Sequence, residues 1–200
     1  MKRVRIGLVS VVLFVLGCQS AVSPFVRDGQ LRGVELGSQG AWSVVDGVVA
    51  CSGDKDGYAW LSTDRVYGDF ELTLEWRIEP EGNTGIFCRA PDRKGRTSMK
   101  GFEIQARDDV HDTTLDDVSG AVFSRIPAAG KFSKPVGQWN RFKVTCRGRQ
   151  LRIELNGHLV SDTDMDTIES MRSVPNEGYM GLQNHGTPAA FRNIQIRELD

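Results

Sequence analysis

Charge of one sign is what this sequence most lacks: 25 lysines and arginines stand against 26 aspartates and glutamates in 200 residues. The two signs are interspersed, so there is no basic stripe to neutralise a phosphate backbone, and nucleic acid is excluded as a partner. Cysteine is scarce as well, four in all. Cys51, Cys88 and Cys146 have neither the close spacing of a zinc site nor that of a CxxC redox pair. Three thiols permit at most one internal disulfide, and Cys88 and Cys146 lie in apolar strand-like runs where a cysteine is usually buried and inert. Helical periodicity is missing too, since no window of helical length sustains apolar residues at i, i+3 and i+4. A long apolar run occurs once, near the N-terminus, and it is short for a membrane-spanning helix.

That run, IGLVSVVLFVLG at 6–17, follows Lys2, Arg3 and Arg5. Charged residues followed by an apolar stretch are the order of a secretory signal. The run ends in VLGC, which resembles a bacterial lipobox and implies a lipid anchor on Cys18. Residues 1–18 are therefore read as a lipoprotein signal peptide and 19–24 as a short linker. The remainder, 25–199, is read as one domain of an exported, membrane-anchored lipoprotein on the periplasmic or cell-surface side. Gln19, rather than an aspartate, resembles the residue after the lipid-bearing cysteine of outer-membrane lipoproteins, which implies the outer membrane if the cell is Gram-negative. About 180 residues follow Cys18, enough to bury one substantial core.

What the chain has in abundance is alternation. About a dozen short runs place apolar residues at every second position, and turn residues separate them, which is the pattern of an all-β sandwich or barrel. In DFELTLEWRIE the apolar set is Phe70, Leu72, Leu74, Trp76 and Ile78, so this strand faces a core on one side only. Asp46-Gly47 and Asn156-Gly157 each divide two such runs and tolerate the positive φ angles of a type I′ turn. AVFSRI at 121–126 reads as a further strand, residues 91–100 as an exposed loop, and 165–173 as a helical turn. DDVHDTTLDDVSG at 108–120 is an acidic loop, long enough that a functional role is expected of it.

Polar residues converge on two segments. KGFEIQARDD alternates Phe102, Ile104 and Ala106 with Glu103, Gln105 and Arg107, so its second face carries a carboxylate, an amide and a guanidinium. In NTGIFCRA, Phe87 and Arg89 share a side, and pairing of these sequential strands would set Arg89 beside Glu103. In LQNHG, Gln183 and His185 lie two apart on one face, with Gly181 and Gly186 leaving room for a ligand. Of the other histidines, His158 follows a turn, and His111 lies in the acidic loop. Tyr58 and Trp60 could stack on a sugar ring or pack in the core.

YGDFELTLEWRIEPEGNTGIFCRAP, GFEIQARDD, GQWNRFKVTCRGRQLRIELNGHLVSDTD and GYMGLQNHGTPAAFRNIQIREL together resemble the 3-keto-disaccharide hydrolase domain family, in that family's motif order. The resemblance implies a concanavalin A-like jelly roll, two curved antiparallel sheets with a carbohydrate site on the concave face. It implies action on glycosides whose C3 hydroxyl is already a ketone, with one divalent metal ion as a possible cofactor. A C3 carbonyl acidifies the C2 hydrogen, so a base can form an enolate that expels the aglycone from C1, and water then adds. That chemistry asks for a base, an oxyanion stabiliser and a proton donor, whereas ordinary glycosidases flank the bond with two carboxylates.

Carried over by motif, the site comprises Glu103, His185 and Arg89 as catalytic residues, with His185 or Glu103 as the base and Arg89 stabilising the enolate. Gln105, Gln183, Asn83, Asp108 and Asp109 are nominated for substrate, and Glu103, Gln105 and His185 as donors should a metal bind. Two departures are visible: threonine stands at 84 within NTGIFCR, and ARDD leaves the register of the two aspartates open. Two other readings compete. A lectin-like surface lipoprotein would bind sugar without turning it over, and a purely structural lipoprotein predicts that Glu103, Arg89 and His185 do not converge.

Overall fold

The computed structural model describes residues 22–200. The proposed signal peptide, Cys18 and the first half of the linker, 19–21, lie outside them. Strands β1 (Val26–Arg27) and β2 (Gln30–Leu31) form a small ribbon, followed by β3 (Val34–Leu36), β4 (Trp42–Val45), β5 (Val48–Cys51), β6 (Ala59–Tyr67), β7 (Phe70–Ile78) and β8 (Asn83–Ala90). A one-turn helix α1 (Thr97–Lys100) precedes β9 (Phe102–Arg107), and the chain continues through β10 (Asn140–Arg147), β11 (Gln150–Leu155), β12 (His158–Asp164), β13 (Gly178–Asn184) and β14 (Ala189–Glu198). A seven-stranded sheet, ordered β12-β11-β10-β7-β14-β5-β4, packs on a five-stranded sheet ordered β3-β6-β13-β8-β9. The sandwich is all-β and antiparallel throughout, as expected.

The alternation explains the layers. From β7, Phe70, Leu72, Leu74, Trp76 and Ile78 are buried between the sheets, and Ile86, Cys88, Phe102, Ile104 and Leu182 meet them from the smaller sheet. Each side chain of this size removed from water stabilises the fold by about 1.5–3 kcal/mol. Both predicted hairpins form with positive φ at both turn residues: Asp46 at 51° and Gly47 at 76°, Asn156 at 53° and Gly157 at 85°. They set the registers Val45↔Val48 and Leu155↔His158.

Three segments repay comparison with the sequence reading. Residues 165–173 form two 3₁₀ turns, the first capped by Asp164, whose side chain accepts from Asp166 N. The 91–100 stretch is not wholly an exposed loop, because α1 buries Thr97 and Ser98. Residues 121–126 are not a strand: Gly120 and Ser124 adopt φ of 93° and 57° and break the extended run. The segment instead lies along the free edge of β9, with Gln105 N donating to Ala121 O and Phe123 N to Glu103 O. Its alternation was real but reflects Val122 and Ile126 plugging the core beside that edge, which also protects the edge from foreign pairing.

Candidate active site

The outer face of the five-stranded sheet carries the polar set. Pairing of β8 with β9 sets Gly85 opposite Gln105 and Phe87 opposite Glu103, while β13 brings Gln183 opposite Trp60 of β6. Glu103, Gln105 and Gln183 thus share a face, and they line one cavity of about 440 Å³ with Asn83, Tyr58, Lys55, Arg96, Asp117 and His185. Gly85 makes the arrangement possible. A Cβ built on it would fall on the Glu103 carboxyl group, so the missing side chain is the space into which that carboxyl leans.

Glu103 is 3% exposed at the cavity floor. Desolvation, helped by the nearby Asp117 carboxylate, pushes its pKa up to about 8, against the pull of Arg96 and of a side-chain hydrogen bond with Gln183. It therefore holds a proton at neutral pH. His185 sits just past the end of β13, exposed on the rim. Partial burial and the charges of Lys55 and Arg107 hold its pKa below the usual histidine range, with Asp117 opposing, so its ring is neutral at the same pH. The two groups are displaced in opposite directions, which is how a site sorts a proton donor from a proton acceptor.

Around them stand amides with unused acceptors. Gln183 is 7% exposed, and neither its Oε1 nor the Asn83 Oδ1 has a hydrogen-bond partner among the described residues. A buried acceptor left bare costs on the order of 1–3 kcal/mol, a cost that a ligand hydroxyl would offset. Gln105 donates its Nε2 to Asp117 Oδ1 at 2.5 Å, and Arg107 donates Nη1 to Asp117 Oδ2 at 2.5 Å. The Tyr58 ring lies half-buried on the wall, stacked on Phe87 at 5.7 Å, and its hydroxyl accepts from Ser98 N at 3.2 Å. Trp60 is buried: it packs edge-on to Phe87 at 5.5 Å and beneath Gly181, where a Cβ would strike its ring, so it is no stacking platform for a sugar.

Three of the nominated residues lie elsewhere. Arg89 is fully buried and faces away from the cavity. Between Tyr179↔Ala90 and Gly181↔Phe87 the β8 strand spends three residues against two on β13, and Arg89 takes φ of 52°. This bulge ends the alternation and sends the guanidinium across to the other sheet. There it donates to Gly148 O at 2.8 Å and pairs with Asp69 at 3.3 Å, so Asp69, not Glu103, is its carboxylate partner. Asp108 and Asp109 follow the end of β9 and fix the acidic loop instead. Asp108 accepts from Glu81 N at 3.0 Å, and Asp109 from Ser119 N and Ser133 Oγ, both beside a separate cavity at the sandwich end. His111 is exposed, and His158 stacks on Phe132.

Sequence reasoning did not single out Asp117, Arg96 or Lys55. Asp117 lies in the loop marked for its length, but nothing in the loop's spacing distinguishes it from four other aspartates there; Arg96 and Lys55 lie in connecting segments without alternation. As for a metal, Glu103, Gln105 and His185 offer one carboxyl, one amide and one imidazole. Among the described residues no three His, Cys, Asp or Glu side chains are grouped to hold an ion. This donor set does not fit an enclosed divalent-cation site, which draws on several charged oxygens.

Comparison with known proteins places the geometry. The sequence profile of the 3-keto-alpha-glucoside-1,2-lyase-like domain matches residues 28–197. A 3-keto-disaccharide hydrolase of Bacteroides thetaiotaomicron is 26% identical over 204 aligned positions, spanning 80% of this chain and 70% of that protein. Among solved structures, a provisionally assigned glycosyl hydrolase from Parabacteroides distasonis superposes with a TM-score of 0.77 at 25% identity, covering 90% of this chain and all of that one. The carbohydrate-binding module CBM66 of Bacillus subtilis shares the fold, with a TM-score of 0.59 at 19% identity over 84% of this chain and 97% of the module.

Proposed function

Because the chain belongs to the 3-keto-alpha-glucoside-1,2-lyase-like domain family, a family that supports a carbohydrate hydrolase function, we propose that it cleaves 3-keto-glycosides by elimination followed by hydration. The observation that carries this reading is that a carboxyl buried on the floor, Glu103, and an imidazole on the rim, His185, line one cavity together with Arg96, Asn83 and Gln183. His185 removes the C2 proton, and the electrons pass into the C3 carbonyl to give an enolate. Arg96, the arginine that does line the cavity, stabilises that oxyanion. The enolate then collapses, the C1–O bond breaks, and Glu103 delivers its proton to the departing aglycone oxygen. Water adds to C1 of the resulting enone as Glu103 takes a proton from it and the His185 imidazolium returns one to C2, so both catalysts are restored. Asn83 Oδ1 and Gln183 Oε1 accept from sugar hydroxyls. The leader and Cys18 support display of this activity from a membrane anchor.

Both groups work in their resting protonation states, which fixes the pH behaviour. Activity needs His185 deprotonated and Glu103 protonated, so kcat/KM plotted against pH is a bell whose alkaline limb falls near 8. Incubation with a 3-keto-disaccharide, followed by quantification of released sugar, tests the reading. Glu103→Gln and His185→Ala each lower turnover by about 10²–10⁴-fold, the usual contribution of a positioned acid or base. Saturable binding of the oxidised sugar with no release by the wild type would instead identify a lectin and end the enzyme assignment.

A further inference from the structure

The cavity has two ends, and the register of the sheet tells them apart. On the outer face of β8 and β9, Asn83 stands opposite Arg107, Gly85 opposite Gln105 and Phe87 opposite Glu103. These levels follow one another at about 7 Å along the strands, so Asn83 to Phe87 spans about 13 Å, room for two linked sugar rings rather than one. His185 follows β13 at the Asn83 end: Thr84 Oγ1 donates to Gln183 O at 2.6 Å, and Asn83 N donates to Thr187 Oγ1 at 2.9 Å. The Phe87 end is aromatic. There Tyr58 stacks on Phe87 with ring centroids 5.7 Å apart, and Trp60 braces Phe87 edge-on at 5.5 Å. With Ala90 these side chains form a small apolar cluster separate from the main core. Resting on the acid role given to Glu103, we propose that the Phe87 end is the subsite for the departing sugar and that Tyr58 is its stacking platform.

The chemistry orders the rings. A group that protonates the departing oxygen lies between the ring that reacts and the ring that leaves, and a base for C2 lies on the reacting side. His185 and Glu103 occupy different levels of the face, so the reacting ring covers Gly85 and Gln105 between them. The leaving ring then falls on the Phe87 side of Glu103, against Tyr58. Tyr58 suits that place. It lines the cavity half-buried, and its hydroxyl accepts from Ser98 N at 3.2 Å and donates to Ser98 Oγ at 3.4 Å. Phe87 holds the ring and Ser98 the hydroxyl before a ligand arrives, so stacking costs little further side-chain entropy. A pyranose turns C–H groups outward on its flat face, and the electron-rich face of an aromatic ring receives them while the hydroxyls point aside to polar partners. A methyl aglycone leaves that platform empty, so the arrangement selects a disaccharide over a simple glycoside.

Two substitutions separate stacking from mere packing. Tyr58→Leu keeps apolar bulk and loses the flat face, whereas Tyr58→Phe keeps the face and loses the bond to Ser98. Affinities are measured by calorimetry in a Glu103→Gln background, which stops proton delivery, with two probes that share the reacting ring: a 3-keto-disaccharide and the methyl glycoside of the same 3-keto sugar. Tyr58→Leu is expected to weaken disaccharide binding about tenfold and to leave the methyl glycoside within about twofold, with Tyr58→Phe close to the parent for both. Equal losses for the two probes would mean that Tyr58 only shapes the cavity. That result, an unchanged disaccharide affinity in Tyr58→Leu, or no binding of the disaccharide at all overturns the proposal. Sugar release by the protein carrying Glu103 is followed in parallel. Should it release none from either compound while the loss in Tyr58→Leu stays specific to the disaccharide, the proposed reaction falls and the two-ring site with its Tyr58 platform stands.

Discussion

At the scale of single residues, the site is a set of exchanges between neighbours. Gly85 forgoes a side chain so that Glu103 can lean across β8, and the fold leaves that carboxyl too dry to ionise easily. This has a thermodynamic signature. The folded pKa, about 8, exceeds the ordinary glutamate value of 4.5, so between these values the folded state keeps a proton that the unfolded chain has released. Folding then loses stability as pH rises through that window, and the contribution is fully present only below it. Glu103→Gln keeps the shape and removes the proton, so it raises stability by about 3 kcal/mol at pH 7 and by almost nothing at pH 4. Urea unfolding of both proteins at several pH values checks this; a gain independent of pH would mean that Glu103 ionises normally. Glu103, Gln105 and Gln183 were legible in the sequence because period-two alternation fixes the face of a strand residue. Asp117 was not, because a loop has no period and its side-chain directions follow from tertiary contacts alone.

At the scale of elements, one extra residue decides the fate of an arginine. Alternation along NTGIFCRA puts Arg89 on the face of Phe87, and this holds up to Cys88. The bulge then inserts a residue, and Arg89 turns inward to tie β8 to the β6–β7 and β10–β11 turns through Asp69 and Gly148. A bulge leaves no mark in a single sequence when the bulged residue is not glycine, which is why the expectation failed here and not at Glu103. The consequence is a clean separation of roles. Arg89→Met, which fills similar volume, costs about 2–4 kcal/mol of stability through the loss of a buried charged donor, yet leaves kcat per folded molecule within about twofold. Chemical denaturation and active-site-normalised turnover measure the two effects independently. A hundredfold loss of kcat in well-folded Arg89→Met would return that residue to the catalytic set. The acidic loop behaves similarly: Asp109, bonded to Ser119 N and Ser133 Oγ, anchors the stretch from which Asp117 reaches the cavity.

At the scale of the whole molecule, the two faces of the smaller sheet divide the work. One face joins the core shared with the seven-stranded sheet, and the other holds the site, so the chemistry is built on a rigid layer without being part of the packing that holds it. The core also carries three reporters. Cys51 in β5, Cys88 in β8 and Cys146 in β10 are free thiols, all buried and drawn from both sheets. Burial raises the pKa of each, that of Cys88 strongly and that of Cys146 to about 12. A thiol must ionise and be reached before it reacts, so in the native protein none of the three is alkylated by iodoacetamide at pH 8. If the sandwich unfolds as one unit, all three become reactive at the same urea concentration, because no sheet can open without exposing the face it shares with the other. Pulse alkylation across a urea series, read peptide by peptide by mass spectrometry, resolves the three midpoints. Cys51 reacting well before Cys88 and Cys146 would show that the β4–β5 edge of the larger sheet opens alone, and that cooperativity is confined to the strands beneath the site.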